Sequence, residues 1–234
     1  MADGPGLVAI IPARGGSKGI RRKNVVDVAG KPLIGWTIEA CKCARRIERC
    51  IVSTDDAEVA EVAAGYGIDT VRRPRDLAGD ASPVEGALLH ALDAIESDGV
   101  ALPERFAFLQ CTSPLTLPED IDGAIEAGER ADADVVVSVT DFHYFLWSEQ
   151  PDGSLVGLNH DHRVRPMRQD RPGQLLEAGS VYVIRTQGFR EARHRFFGRI
   201  VPHRVPSDRV FEIDDPEDLA YAAHALASRR AAAS

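Results

Sequence analysis

The sequence predicts an α/β fold built on a doubly wound, mostly parallel sheet. Short apolar runs rich in β-branched residues alternate with helical patterns, an order that is typical of such sheets. A glycine-rich, cationic loop follows the first of these runs, at the position where α/β proteins bind phosphates. The chain has 234 residues, of which 44% are hydrophobic and 27% are charged. A single domain, residues 1–234, can therefore bury a full core.

The first predicted strand, residues 7–11, ends at Pro12 and leads into the first loop, residues 13–24. Glycines occupy positions 15, 16 and 19 of this loop. The cations of the loop are Arg14, Lys18, Arg21, Arg22 and Lys23. Glycine lets the backbone approach a ligand closely, and arginine and lysine supply charge-assisted hydrogen bonds. We therefore predict a nucleotide triphosphate site here; the alternative is a solvated basic turn.

Two familiar phosphate motifs are absent from the first loop. A P-loop requires Gly-x-x-x-x-Gly-Lys-Ser/Thr, a spacing that the sequence lacks. A dinucleotide fingerprint requires a helix directly after its glycines, whereas the next helical pattern begins only at Pro32. We therefore expect side chains, rather than a helix dipole, to neutralise most of the phosphate charge.

Periodicity and capping signals predict the remaining elements. Pro32 begins one helix, Asp55 and Asp56 offer an N-cap for the next, and Ser82-Pro83-Val84-Glu85 has the form of a capping box. A further helix is predicted over residues 118–130. The other predicted strands are residues 50–54, 69–73, 106–109, 135–139, 180–184 and 199–201.

Polar residues follow the strand at 106–109, where ligands of open α/β sheets gather. Gln110, Thr112 and Ser113 are therefore candidates for substrate contact. Turn chemistry is an equally good explanation for the two hydroxyls.

The segment 140–179, here called the lobe, shows little regular periodicity. Its aromatic residues cluster near the start, at Phe142, Tyr144, Phe145 and Trp147. So long an irregular stretch in a compact domain is usually functional or binds a partner. We expect the lobe to contact a second subunit and to contribute to substrate binding.

Two carboxylates near the end of the chain predict a divalent metal site. On a strand over residues 211–214, Glu212 and Asp214 would share one face while Ile213 points to the core. Such a pair beside a phosphate loop is suited to Mg²⁺ that bridges phosphate oxygens. The alternative is a solvated strand end. Asp215 has a structural explanation as the N-cap of the last helix.

Composition excludes several classes of partner. The formal net charge of −8 argues against nucleic acid or an anionic membrane as the main partner. No apolar run has the roughly 20 residues of a membrane span, and the N-terminus lacks the order of a signal peptide. We therefore expect a cytoplasmic protein whose four cysteines are free thiols.

Taken together, the motifs resemble those of the acylneuraminate cytidylyltransferases, also called CMP-sialic acid synthetases. The matching segments cover nearly the whole chain in the right order. They are residues 11–20 (IPARGGSKGI), Lys23-Asn24, 30–38 (GKPLIGWTI), 52–55 (VSTD), Gln110 with 112–115 (TSPL), 147–149 (WSE), 168–170 (RQD), 179–182 (GSVY) and 213–214 (ID).

This resemblance implies a Rossmann-like three-layer α/β/α sandwich of the nucleotide-diphospho-sugar transferase type. It also implies a protruding dimerisation lobe that reaches across a homodimer. The reaction would join CMP from CTP to a sialic or other nonulosonic α-keto acid, with Mg²⁺ and with release of pyrophosphate.

The resemblance also assigns individual residues. The triphosphate-binding positions are Arg14, Ser17, Lys18 and Lys23, and the nucleoside-binding positions are Asn24, Arg73 and Ser82. Gln110 falls at an acceptor position, and Arg168 at a position with a catalytic and acceptor-binding role. Glu212 and Asp214 match the metal carboxylates. Arg14 and Lys23 would stabilise the departing pyrophosphate.

Departures from the family pattern concentrate at the acceptor end. Ala178 stands where sialate-activating members have Asn, and Leu146 replaces a basic residue. Glu212 replaces one metal aspartate. These changes remove polar contacts to a large hydroxylated acid, so a small phosphonate or phosphonocarboxylate acceptor is the second hypothesis.

Two further hypotheses change the class of protein. A nucleotide-binding protein without catalysis would need neither Arg168 nor the carboxylate pair. A glycosyltransferase of related fold is disfavoured because no Asp-x-Asp follows a strand in mid-chain.

Overall fold

A computed structural model of the protein describes residues 7–17 and 19–233, so Lys18 lies outside the described residues. The strands are β1 (Leu7–Pro12), β2 (Asp27–Val28), β3 (Lys31–Pro32), β4 (Ile47–Thr54), β5 (Asp69–Arg72), β6 (Arg105–Leu109), β7 (Val135–Phe142), β8 (Trp147–Glu149), β9 (Leu155–Gly157), β10 (Gln174–Arg185) and β11 (Ile200–Arg204). The α-helices are α1 (Leu33–Cys43), α2 (Ala57–Gly65), α3 (Val84–Ser97), α4 (Pro118–Ala131), α5 (Thr186–Ala192) and α6 (Pro216–Ala233). Short 3-10 turns occupy Lys23–Val25, Arg75–Leu77, Arg168–Asp170 and Ser207–Arg209.

Seven strands form one sheet in the order β11-β7-β10-β6-β1-β4-β5. β1 is central and pairs in parallel with β4 and β6. β10 runs antiparallel to both of its neighbours, β6 and β7, and the remaining pairs are parallel. The predicted mostly parallel sheet is therefore confirmed, with one reversed strand that brings the chain back across the core.

Helices cover both faces of the sheet, which confirms the three-layer sandwich. Alternate residues of β1 point to opposite faces, as the pleat requires. One face packs against α1, α2 and α4, and the other against α3 and α5. Helix α6 packs with β2 and the start of α1 in a third apolar cluster. Within the described residues, none of the helices is both long and apolar enough to cross a membrane.

The lobe is more ordered than its sequence indicates. β7 and β10 stay paired beyond the core, with Phe142 opposite Gln174, so strand covers the two ends of the predicted irregular segment. β8 and β9 form a small hairpin between them. Asn159 accepts the backbone N–H of Leu146 at 2.9 Å and donates to the carbonyl of Tyr144 at 2.9 Å. The lobe is thus held largely by polar contacts rather than by a buried apolar core.

Two local predictions were wrong. α3 begins at Val84, one residue later than the capping box requires, and has no side-chain cap. The Ser82 hydroxyl instead donates to the carbonyl of Asp76 at 3.0 Å. The predicted strand over residues 211–214 is an extended segment outside the sheet. Its link to the core is the N–H of Ile213, which donates to the carbonyl of Thr112 at 2.9 Å.

A bulge in β10 shapes the edge of the sheet beside Gly179. The register with β7 shifts between Glu177 and Tyr182. Ser138 of β7 fills the gap in the ladder, because its hydroxyl accepts the N–H of Val181 at 3.0 Å and lies 3.0 Å from the Ser180 hydroxyl. A buried side chain therefore satisfies the N–H that the bulge removes from the regular ladder.

We predict that Ser138→Ala destabilises the protein by about 1–3 kcal/mol, because the buried N–H of Val181 loses its acceptor. The measurement is the free energy of unfolding from denaturant titration. Ser97→Ala is the matched control: its exposed hydroxyl donates to a carbonyl within α3, so we expect a change within about 0.5 kcal/mol. Equal stability of the two variants would contradict the role given to Ser138.

Candidate active site

A cleft of about 420 Å³ lies at the carboxyl ends of the parallel strands, within the roughly 300–1,000 Å³ typical of ligand pockets. The first loop follows β1, Arg73 follows β5, and Gln110 follows β6, so parallel strands deliver all three to one edge. The predicted site residues that line the cleft are Arg14, Ser17, Lys23, Asn24, Arg73, Ser82, Gln110 and Glu212. The structure thus brings most of the predicted site together.

Hydrogen bonds from other elements hold the first loop in shape. The N–H of Gly15 donates to Asp55 at 3.0 Å, and a side chain at Gly15 would collide with Asp56. The Asn24 amide donates to the carbonyl of Arg14 at 2.8 Å. Asn24 also accepts a hydrogen bond from the Cys111 thiol at 3.1 Å. Burial raises the pKa of Cys111 to about 12, so this donor keeps its proton at neutral pH.

Lys23 connects the first loop to the segment before α6. Its ammonium donates to the carbonyl of Ile213 at 2.8 Å and pairs with Asp214 at 3.0 Å. Gly19 lies against the carbonyl of Asp214, where a Cβ would not fit. Asp218 accepts the N–H groups of Asp214 and Asp215 at 2.8 and 2.9 Å, and these bonds lower the pKa of Asp218. Both sides of the contact are therefore fixed.

Glu212 lies between the end of β6 and the bulge of β10. One of its oxygens accepts hydrogen bonds from Gln110 at 3.0 Å and Thr112 at 2.9 Å. The other lies near Gly179, whose φ of +65° favours glycine. The carboxylate is thus aimed by two neutral donors and needs no cation to hold it.

The donor chemistry of Glu212 and Asp214 fits a Mg²⁺ site that the substrate completes. Both side chains are exposed on either side of the buried Ile213, as the predicted alternation requires. Among the described residues, no three His, Cys, Asp or Glu side chains are grouped to hold a metal by themselves. Mg²⁺ commonly takes one or two carboxylates and fills its other positions with phosphate oxygens and water.

Two arginines lie on the β4–β5 side of the site. Arg73 is 6% exposed and donates to the carbonyl of Ser53 at 2.6 Å. Its Nε has no hydrogen-bond partner among the described residues, and burial lowers the pKa of its guanidinium against the opposing effect of Asp55. Arg14 donates to the carbonyl of Gly79 at 2.9 Å and pairs with Asp80 at 3.0 Å. Arg14 therefore ties the first loop to the loop that carries Ser82.

Two predicted residues of the described part of the chain, Arg168 and Asp214, do not line the cleft. Arg168 lies in an exposed 3-10 turn of the lobe. Asp214 is connected to the cleft by its ion pair with Lys23, which lines the cleft. Lys18 lies outside the described residues.

Sequence reasoning missed Arg195, which also lines the cleft. Arg195 forms an ion pair with Glu85, 110 positions earlier, at 2.8 Å. No local motif surrounds Arg195, and the predicted capping box gave Glu85 a different role. Only the three-dimensional packing of α3 against the segment after α5 brings the two residues together.

Comparison with known proteins identifies the family. A family model described as cytidylyltransferase matches residues 8–190. N-acylneuraminate cytidylyltransferase of Oncorhynchus mykiss is 36% identical over 182 residues, covering 76% of this chain and 40% of the relative. The enzyme of that name from Escherichia coli O18:K1:H7 is 32% identical, covering 91% and 50%. The chain thus spans half or less of the length of these relatives.

A pseudaminic acid cytidylyltransferase of Campylobacter jejuni matches over nearly its full length, with 28% identity and coverage of 92% of this chain and 94% of the relative. Among solved structures, CMP:2-keto-3-deoxy-manno-octonic acid synthetase complexed with CTP has a TM-score of 0.70 at 15% identity, covering 96% and 99%. That structural likeness shows the fold. Since the family model spans most of the sequence, the chain belongs to the cytidylyltransferase family.

Proposed function

We propose that this protein transfers CMP from CTP to an acidic acceptor and releases pyrophosphate in a Mg²⁺-dependent reaction. The observation that carries the proposal is a single cleft in which the cations of the first loop and the Glu212 carboxylate are held by separate contacts. Relatives named as N-acylneuraminate and pseudaminic acid cytidylyltransferases support a nonulosonic acid as the acceptor.

In this reaction an acceptor oxygen bonds to the α-phosphorus of CTP, and the bond between the α-phosphorus and the bridging oxygen breaks. Arg14, Ser17 and Lys23 would bind the triphosphate and stabilise the negative charge on the departing pyrophosphate, and Lys18 shares this proposed role. Arg73, Ser82 and Asn24 would bind the nucleoside. Catalysis of this kind depends mostly on positioning and charge neutralisation.

Glu212 and Asp214 would hold Mg²⁺. When bound, Mg²⁺ neutralises phosphate charge and can lower the pKa of a coordinated hydroxyl. The chain's own contribution is to aim Glu212 through Gln110 and Thr112, and to fix Asp214 through Lys23. Gln110 is also the proposed contact to the acceptor.

A phosphonate or phosphonocarboxylate is the second candidate acceptor. Ala178 is buried at the bulge and Gly179 follows it, so these two positions offer no side-chain amide to a polyhydroxylated sugar acid. The exposed Leu146 offers no cation. A smaller acid requires fewer such contacts.

Pyrophosphate release from CTP and Mg²⁺, measured against a panel of nonulosonic acids and small phosphonates, tests the proposal. We expect release with at least one acceptor. Release only with a phosphonate would identify the phosphonate, rather than a nonulosonic acid, as the acceptor. No release with any acceptor would leave a nucleotide-binding protein without catalysis.

We predict that Asp214→Asn lowers turnover by roughly 100-fold or more, because a Mg²⁺ carboxylate is lost. The exposed ion pair with Lys23 contributes about 1 kcal/mol or less, so the melting temperature should change little. Asp208→Asn, an exposed carboxylate near Arg229 outside the cleft, is the control. Full activity of Asp214→Asn would remove Asp214 from the metal site.

We further propose that the lobe forms a homodimer. Of the large hydrophobic side chains that the described residues expose, most lie in the lobe, among them Leu158, Val164 and Met167 at 65%, 72% and 67%. Such a patch is typical of a protein interface. Because Arg168 does not line the cleft of its own chain, its proposed catalytic role requires that the lobe of one subunit reach the cleft of the other.

Sedimentation velocity tests the dimer. The sedimentation coefficient of wild-type protein should correspond to a dimer, with twice the 25.4 kDa mass of the chain. Leu158→Glu should sediment as a monomer, because the substitution would bury a charge in the interface. Val100→Glu, at a partly exposed loop position outside the lobe, should remain dimeric. A monomeric wild type would exclude any role of Arg168 across subunits.

A further inference from the structure

Arg195 occupies a built position in the cleft that the reaction described above does not use. Its guanidinium carbon lies 5.4 Å from the ring centres of both Phe108 and Tyr182. Those two rings stack on each other with centroids 5.0 Å apart. Phe108 belongs to β6 and Tyr182 to β10, the two strands whose neighbouring backbone holds Gln110 and Gly179. Arg195 is therefore a cation beside the proposed acceptor end.

A buried carboxylate fixes the orientation of Arg195. Its Nε donates to Glu85 at 2.8 Å, and the Glu85 side chain is only 8% exposed. Burial alone would raise the pKa of Glu85, yet the bond and charge of Arg195 lower it. Burial alone would lower the pKa of Arg195. The hydrogen bond and the charge of Glu85 outweigh the effect of burial, so the pKa of Arg195 is raised. Both groups stay ionised at neutral pH.

The pairing with Glu85 uses only one edge of the guanidinium. Nε is bound to Glu85, whereas the two Nη groups carry four further N–H donors in a planar fork. Such a fork matches the two oxygens of a carboxylate or phosphonate. The neighbouring Tyr182 hydroxyl donates to Glu177 and also interacts with the Arg195 guanidinium. The remaining N–H donors of the guanidinium can bind a ligand.

The other cations that line the described cleft have separate partners and separate proposed roles. Lys23 holds the segment before α6, Arg14 pairs with Asp80, and Arg73 donates to Ser53. These three are proposed to bind CTP. Arg195 lies against the aromatic pair of β6 and β10 instead.

Resting on the proposed function, we propose that Arg195 determines acceptor specificity by binding an oxyanion group of the acceptor, a carboxylate or a phosphonate, other than the attacking oxygen. Glu85 acts as the positioning residue that aims the fork. This role selects acceptors that carry an acidic group besides the attacking oxygen, and it gives the cleft a charged contact that Ala178 and Leu146 do not supply.

Steady-state kinetics of Arg195→Met tests the proposal. With the acceptor that gives release, we expect the acceptor KM to rise about 10- to 100-fold, because a charge-assisted bidentate contact is lost. The KM for CTP should change less than about threefold. Arg195→Lys, which keeps the charge without the fork, should fall between wild type and Arg195→Met. Wild type should strongly prefer the acceptor over its amide, in which the acidic group is neutral. Arg195→Met should show much less of this preference.

Arg190→Met is the matched control, because Arg190 also bridges α5 and α3, through Asp93 and Glu96, without lining the cleft. It should keep the acceptor KM of wild type, and because Asp93 and Glu96 are exposed whereas Glu85 is buried, it should lower stability less than Arg195→Met. An unchanged acceptor KM in Arg195→Met and Arg195→Lys, or a rise in the KM for CTP alone, would overturn the assignment while leaving the proposed function intact. A wild type without release would overturn both.

Discussion

The first loop has to keep one shape without a helix behind it, and the architecture of the cleft depends on that constraint. In folds where a helix follows the glycines, the helix N-terminus both orders the loop and supplies positive potential. Here three hydrogen bonds order the loop. Asp55 accepts the N–H of Gly15, Asn24 donates to a carbonyl within the loop, and Lys23 donates to the carbonyl of Ile213. The contacts of Asp55 and Ile213 come from the end of β4 and the segment before α6, so parts of the chain far apart in sequence fix the loop.

The cleft has two halves with different kinds of support. On the side proposed to bind CTP, hydrogen bonds to backbone carbonyls, including one from the buried Asn24 amide, hold the first loop. On the side proposed to bind the acceptor, Arg195 pairs with Glu85 and lies against the stacked rings of Phe108 and Tyr182. Glu212 lies nearby, beside the bulge in β10. The sequence departs from the family pattern at Leu146 and Ala178, although it keeps the matching segments 147–149 and 168–170 between them.

The sequence predicted features that depend on local pattern and missed those that depend on packing. Strand–helix alternation fixed the three layers, and the cationic loop and Glu212 were found from residue type and spacing. The capping box at Ser82 was wrong because the hydroxyl bonds within its own loop and Glu85 bonds to Arg195. The lobe was predicted as irregular because polar contacts such as those of Asn159, rather than apolar periodicity, give it order. Arg195 has no local signal at all.

The most direct test of this account is calorimetric titration of CTP and of CMP, each with Mg²⁺, into wild type and Lys23→Met. If first-loop side chains bind the triphosphate, CTP should bind wild type at least about tenfold more tightly than CMP, and Lys23→Met should remove most of that difference. The ammonium of Lys31 pairs with Glu39 outside the cleft, so Lys31→Met should retain the preference for CTP over CMP. Equal affinity of wild type for CTP and CMP would contradict the account, as would a full CTP preference in Lys23→Met.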